Sequence, residues 1–120
     1  MTLNDQINAA IGAHGLWKGR LKDAIRTGRS DVPVHAVSVD NQCAFGKWLQ
    51  SFDAEGRRSP NYKTCCDLHR KFHAAAGDVL ALASAGKRQE AERALGDNSA
   101  FVNTSRDLTR AMMTWAAAKP

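Results

Sequence analysis

Residues 59–86 read SPNYKTCCDLHRKFHAAAGDVLALASAG, and this stretch decides the fold. Ser59 and Pro60 stand in the order typical of a helix N-cap and first helical position. Gly86 supplies a residue at which a helix commonly stops. Apolar and ligand-type side chains recur between them at helical spacing: Cys65, His69, Phe72, His73, Ala76, Val79, Leu80 and Ala83. The stretch therefore predicts a helix with one buried face.

The N-terminal segment carries a second helical pattern. Its apolar and ligand-type residues alternate at spacings of four and three: Leu3, Ile7, Ala10, His14, Trp17, Leu21 and Ala24. Gly28 followed by Arg29 is a typical helix end. We expect one helix from about Leu3 to Thr27.

The segment between these two helices divides in two. Ser30 to Val39 contains Pro33 and β-branched residues without a helical stripe, which predicts an extended connection. Asp40 is a suitable N-cap for a short helix from about Asn41 to Phe52.

The C-terminal part continues the helical pattern. A polar turn, Asp53 to Arg58, precedes the central helix, and a brief helix from Lys87 to Leu95 follows it. A last helix is expected from about Ser99 to Ala117. Four substantial helices with short connections predict an all-α fold, an antiparallel four-helix bundle with one additional short helix. The length of 120 residues predicts a single domain spanning residues 1–120.

Composition limits the function classes. The net charge is +5, but its lysines and arginines are scattered without interleaved aromatic residues, so we expect no nucleic-acid partner. The sequence has neither a signal-peptide pattern nor a membrane-spanning apolar window, so no membrane association is expected. The three cysteines make a poor disulfide framework, which favours a reducing, cytoplasmic location.

Four residues on three helical patterns form a candidate metal site: His14, Cys43, His69 and His73. The last two are four residues apart, so both imidazoles can point at one ion from one helix face. Histidine and cysteine are preferred zinc ligands, and four of them close a tetrahedron without an open position. Such a site favours structure or sensing over catalysis. The alternative is that His14 and His73 only fill core space.

The same residues lie in three short motifs. His14 begins HGLW, Cys43 begins CAFGKW, and His69 begins HRKFH. In this order they resemble the chemoreceptor zinc-binding (CZB) domain family, whose pattern is HxxW, CxxGxW and HxxFH. The motifs lead us to expect a resemblance that extends from His14 to the last helix. It implies that the four residues bind a zinc ion. It also implies a homodimeric helical bundle that regulates a chemoreceptor complex or a signalling output domain such as a diguanylate cyclase.

These observations lead to a hypothesis and two competing function classes. We expect a regulatory zinc module, not an enzyme, in which oxidation of Cys43 or loss of zinc changes the bundle. One alternative is a structural, zinc-stabilised dimerisation domain. The other is a metalloenzyme or oxygen-binding helical bundle, which is less favoured because the three glutamates, Glu55, Glu90 and Glu92, lack di-iron spacing.

Two further predictions concern residues outside the motifs. Cys65 and Cys66 are expected to be small core residues, since unligated cysteines are commonly buried and inert. Ile11, Ile25 and Met113 lie beside the main apolar stripes, and as exposed apolar residues they would support a homodimer.

Overall fold

The computed structural model describes residues 2–30, 32–39 and 43–118, and its regular elements are helices. Within those ranges no residue forms a β-strand, so the predicted all-α class is confirmed. None of the helices there is long and apolar enough to cross a membrane. The helices are α1 (Leu3–Gly15), α2 (Trp17–Thr27), α3 (Val34–Ser38), α4 (Ala44–Gln50), α5 (Pro60–Ser84), α6 (Arg88–Ala94) and α7 (Ala100–Ala117), with a 3₁₀ turn at Gly56–Arg58.

Helix α5 is the central element of the fold. It starts as predicted, with the Ser59 hydroxyl accepting a hydrogen bond from the Tyr62 N–H and with Pro60 at its first position. It ends just before Gly86, whose φ of 77° is a left-handed conformation that favours glycine. Helices α2, α3, α6 and α7 all pack on α5. The buried face of α5 therefore forms the middle of the hydrophobic core.

The expected N-terminal helix is two helices. The predicted single helix from Leu3 to Thr27 is interrupted at Leu16, where the backbone N–H bonds to the Ala13 carbonyl in a tighter turn. Gly15 immediately precedes the break, and glycine weakens a helix by about 1 kcal/mol relative to alanine. The predicted end at Gly28 is confirmed, since this residue caps α2 with a φ of 71°.

The connection predicted to be extended contains a helix instead. Pro33 is the N-cap of α3, and its carbonyl accepts hydrogen bonds from the N–H groups of Ala36 and Val37. The side chain of Val37 is only 2% exposed, and α3 packs on α5. Tertiary packing thus outweighs the low helix propensity of the β-branched residues in this segment.

The second predicted helix is shorter than expected. Helix α4 begins at Ala44 and ends at Gln50, and Cys43 is its N-cap. The predicted cap Asp40 and the predicted start Asn41 lie outside the described residues. The two later helices match their predicted ranges to within one residue, as α6 and α7.

Candidate metal centre

Three histidines and one cysteine meet in the interior of the helical fold. His14 lies near the end of α1, Cys43 at the start of α4, and His69 and His73 one turn apart on α5. One donor atom from each side chain lies within 4.8 Å of the others. The three imidazoles are buried and Cys43 is half-buried. The structure therefore brings together all four residues that the sequence singled out.

The distances between these donor atoms fit a tetrahedral zinc site. With Zn–N bonds of about 2.0–2.1 Å and a Zn–S bond of about 2.3 Å, a tetrahedron sets two nitrogens about 3.3 Å apart and nitrogen and sulfur about 3.6 Å apart. The Nε2 atom of His69 lies 3.1 Å from that of His14 and 3.0 Å from that of His73. The Sγ atom of Cys43 lies 3.3, 3.6 and 4.0 Å from Nε2 of His69, His73 and His14, respectively.

Backbone carbonyls orient two of the three imidazoles. The Nδ1–H of His14 donates to the Ala10 carbonyl at 2.7 Å, and the Nδ1–H of His73 donates to the Val37 carbonyl at 2.9 Å. These bonds leave the lone pair on Nε2, which is the atom that faces the centre. Such hydrogen bonds commonly fix the tautomer and ring orientation of metal-binding histidines.

His69 depends on the centre for its polar contacts. Its side chain is fully buried, and within the described part of the chain its Nδ1 has no hydrogen-bond partner. An unsatisfied buried polar group costs about 1–3 kcal/mol. Coordination through Nε2 leaves Nδ1 without a partner, but it would give this buried ring one strong polar interaction through its other nitrogen.

Burial keeps the imidazoles of His14 and His69 neutral at pH 7. It lowers the pKa of His14 to about 4, an effect opposed by the bond to Ala10 and reinforced by His73. Burial, together with the positive charges that His73 and His14 would carry, lowers the pKa of His69 to about 3. A neutral imidazole offers the nitrogen lone pair that a metal requires, so the site is ready to bind a cation at neutral pH.

Cys43 has two structural roles. Its Sγ caps α4 by accepting a hydrogen bond from the Gly46 N–H at 3.4 Å, and the same atom faces the three imidazoles. A backbone N–H at a helix start stabilises a thiolate, which is the form that binds metals. Helix α4 is anchored at its other end because the Tyr62 hydroxyl of α5 donates to the Leu49 carbonyl at 2.9 Å.

Sequence reasoning missed the groups around the centre. The rings of Phe45 and Phe72 meet the imidazole of His14 edge-on, with centroids 5.9 and 5.0 Å away. Both phenylalanines belong to the motifs CAFGKW and HRKFH, so the motif positions were an available signal. The carbonyls of Ala10 and Val37 left no such signal, since any residue carries a backbone carbonyl.

The remaining candidate ligands lie outside the centre. His35, the fourth histidine, is exposed on α3. Cys65 is fully buried, and burial together with the neighbouring Cys66 raises the pKa of its thiol to about 12. A neutral, buried thiol agrees with the expectation that Cys65 is a core residue.

The fold and the site define a class, a small helical domain with a buried His₃Cys centre suited to zinc. The model of the chemoreceptor zinc-binding domain family matches residues 14–80, and the chain belongs to this family. Zinc is accordingly its cofactor, and the family is a regulatory one, not a known enzyme family. The match ends at Leu80, so it does not reach the last helix as the motifs had led us to expect. Comparisons with curated proteins and with solved structures gave no match.

Proposed function

We propose that this domain is a zinc-responsive regulatory module in which His14, Cys43, His69 and His73 are the four ligands. The observation that carries the proposal is the spacing of three Nε2 atoms and one Sγ at the edge lengths of a zinc tetrahedron. All four ligand positions come from the chain itself. A closed shell of this kind favours sensing or structure over catalysis, because no position is left for a substrate.

The ligands connect separate parts of the fold. His14 belongs to α1, Cys43 begins α4, and His69 and His73 belong to α5. The Val37 carbonyl adds α3 through its bond to His73. A bound zinc ion would therefore hold four helices in one arrangement. Loss of the metal would release the start of α4 and weaken the attachment of α3. This change at the site would alter how the helices of the whole domain pack.

Oxidation of Cys43 is the second route that we propose to the same change. Cys43 supplies the softest ligand, and it is half-buried, whereas Cys65 is fully buried. An oxidised sulfur is a poor zinc ligand, so the centre would keep only its three histidines. The module would then respond to oxidants as well as to zinc.

We further propose that the module is a cytoplasmic homodimer that acts on a chemoreceptor complex or a signalling output domain, as the family name implies. Leu16 and Met113 are 68% and 59% exposed and could contribute to a dimer interface. Ile25, which the sequence placed beside the apolar stripe, is only 8% exposed and can add little to such an interface. The single domain over residues 1–120 and the antiparallel four-helix bundle stay part of this proposal.

A structural zinc-stabilised dimerisation domain is the alternative, and amide hydrogen exchange separates the two. A sensor predicts faster exchange in α3 and α4 of the metal-free protein, with the core of α5 still protected. A domain that merely needs zinc to fold would lose protection in every helix at once. A domain whose exchange is the same with and without zinc would contradict the proposal.

A further inference from the structure

A positively charged groove lies between α2 and α6, and none of the four candidate ligands lines it. Its volume is about 400 Å³. Its rim carries four cations: Lys18, Lys22 and Arg26 from α2 and Arg88 from α6. Its floor is formed by the apolar residues Ile25 and Leu95. We call this surface the basic groove, and we propose that it docks an acidic, amphipathic polypeptide segment of a signalling partner.

Unbalanced charge is the first argument for an acidic occupant. Among the described residues that line the groove, Glu92 is the sole carboxylate. It pairs with Arg88 at 3.3 Å, and Arg26 pairs with Asp23 of its own helix at 3.7 Å. Within the described residues Lys18 and Lys22 form no ion pair, although both line the groove. A carboxylate-bearing partner would supply the missing charge.

The apolar floor is the second argument, and it selects a polypeptide over a nucleic acid. Ile25 and Leu95 are 8% and 6% exposed, and the exposed part of each lines the groove, where an apolar side chain of an amphipathic segment can contact it between the basic residues. In the described part of the chain, no aromatic ring on which a base could stack lines the groove. A polyanion without apolar groups would leave this floor uncovered.

The groove is also unsuited to a second copy of this chain in a symmetric contact. A two-fold interface centred on the groove would bring the same basic surface of both copies together. Like charges across an interface disfavour association. The basic groove therefore stays open to a different partner, even in a homodimer.

The surface continues toward the metal centre. Lys18 also lines a second groove of about 380 Å³, which lies against α7 and includes Arg106, Arg110 and the candidate ligand His14. Lys18 follows His14 by four residues, across the break at Leu16. A segment that engages Lys18 would thus contact the start of α2, directly after the break that separates it from α1 and His14. An effect of this acidic, amphipathic partner on the metal centre rests on the proposed regulatory function.

A peptide titration tests the inference. The probe is a fluorescent synthetic peptide of Glu-Glu-Leu-Leu repeats, and anisotropy is measured with the zinc-loaded protein. The variant K18E/K22E reverses two exposed charges in the groove, and K47E/K63E makes the same change of net charge at exposed positions outside it. We expect K18E/K22E to weaken binding by about tenfold or more and K47E/K63E to leave it within about twofold. A Glu-Glu-Ser-Ser peptide, which lacks the apolar side chains, should bind more weakly than the probe.

Three results would overturn the proposal. Equal weakening by both double variants would mean that only net charge attracts the peptide. Unchanged binding to K18E/K22E would remove the groove as the site. Tight binding of duplex DNA that depends on Lys18 and Lys22, without peptide binding, would assign the surface to nucleic acid. Zinc content measured in the same samples separates these failures from a failure of the metal centre, since none of the substituted residues is a candidate ligand.

Discussion

The Nδ1–H of His73 donates a hydrogen bond to the carbonyl oxygen of Val37 at 2.9 Å, and this bond joins α3 to the metal centre. One turn further along α5, Gly77 lies directly against Ser38, the last residue of α3. The close approach at Gly77 is what lets the Val37 carbonyl reach His73. The orientation of a candidate ligand therefore depends on a short helix whose own sequence hardly predicts it.

Replacing Gly77 with alanine tests this dependence. An added Cβ would lie 2.0 Å from the Ser38 hydroxyl, 2.9 Å from its Cβ and 3.0 Å from its Cα, so rotation of the hydroxyl alone cannot relieve the clash. We expect Gly77→Ala to destabilise the protein by about 1–3 kcal/mol and to weaken zinc binding. Thermal unfolding and a chelator competition measure the two effects. Gly12→Ala is the control, because nothing lies within 4 Å of its added Cβ, and it should be neutral or stabilising. Equal behaviour of the two variants would refute the role of Gly77.

Cys43→Ser separates the capping role of this residue from its ligand role. Serine is a good N-cap and keeps an acceptor for the Gly46 N–H, but its hydroxyl is a poor zinc ligand. We expect the metal-free Cys43→Ser protein to be as stable as the metal-free wild type and to bind zinc far more weakly. Cys43→Ala should lose zinc and also about 0.5–2 kcal/mol of stability. Urea unfolding without zinc measures the stability of the metal-free variants, and unfolding with zinc measures how much the metal stabilises them. Wild-type zinc affinity in the serine variant would remove Cys43 from the ligand set.

The metal-free protein should lose stability on acidification. The pKa values of His14 and His69 are lowered to about 4 and about 3 in the folded chain, against 6.5 for an ordinary histidine. Above pH 6.5 these residues are neutral in both states, whereas below it the unfolded chain binds protons that the folded chain does not. The free energy of unfolding should then fall by up to about 1.4 kcal/mol per pH unit for each histidine until the folded pKa is reached. Urea unfolding between pH 7.5 and 4.5 in the presence of a chelator measures the slope, and a flat profile would contradict the burial argument.

Oxidants should attack Cys43 before the other cysteines. The thiol of Cys65 is fully buried with a raised pKa of about 12, so it offers little thiolate. Mild treatment of the zinc-loaded protein with hypochlorite or peroxide should modify Cys43 and release zinc in parallel. Mass spectrometry locates the modification, and a chromogenic chelator reports the metal. First oxidation at Cys65 or Cys66 with zinc still bound would eliminate the redox mechanism and leave a zinc sensor or a structural site.

The sequence correctly predicted the features that are determined by residues close together in the chain. Ser59, Pro60 and Gly86 give the bounds of α5, because cap and stop residues act within one helical turn. Helical spacing and ligand chemistry also singled out four residues that the structure brings together, among them His69 and His73 on one face of a single helix; their binding of zinc stays a prediction.

The parts that depend on packing between distant segments were not predictable. Helix α3 forms because Val37 is buried against α5, and its β-branched residues alone favour an extended chain. The break at Leu16 lies within a continuous apolar stripe, so periodicity gave no sign of it. The carbonyls that orient His14 and His73 are backbone groups, for which side-chain patterns carry no information.

Zinc stoichiometry and affinity in single alanine variants test the central claim most directly. The wild-type protein should bind one zinc ion per chain by elemental analysis and compete with a chromogenic chelator for it. We expect each single alanine substitution of a candidate ligand to weaken zinc binding strongly, because the zinc ion then keeps only three protein ligands. The four positions are His14, Cys43, His69 and His73. His35→Ala, at the exposed fourth histidine, is the matched control and should retain wild-type affinity. If the His14→Ala protein holds zinc as tightly as the His35→Ala protein, the four-residue centre is wrong.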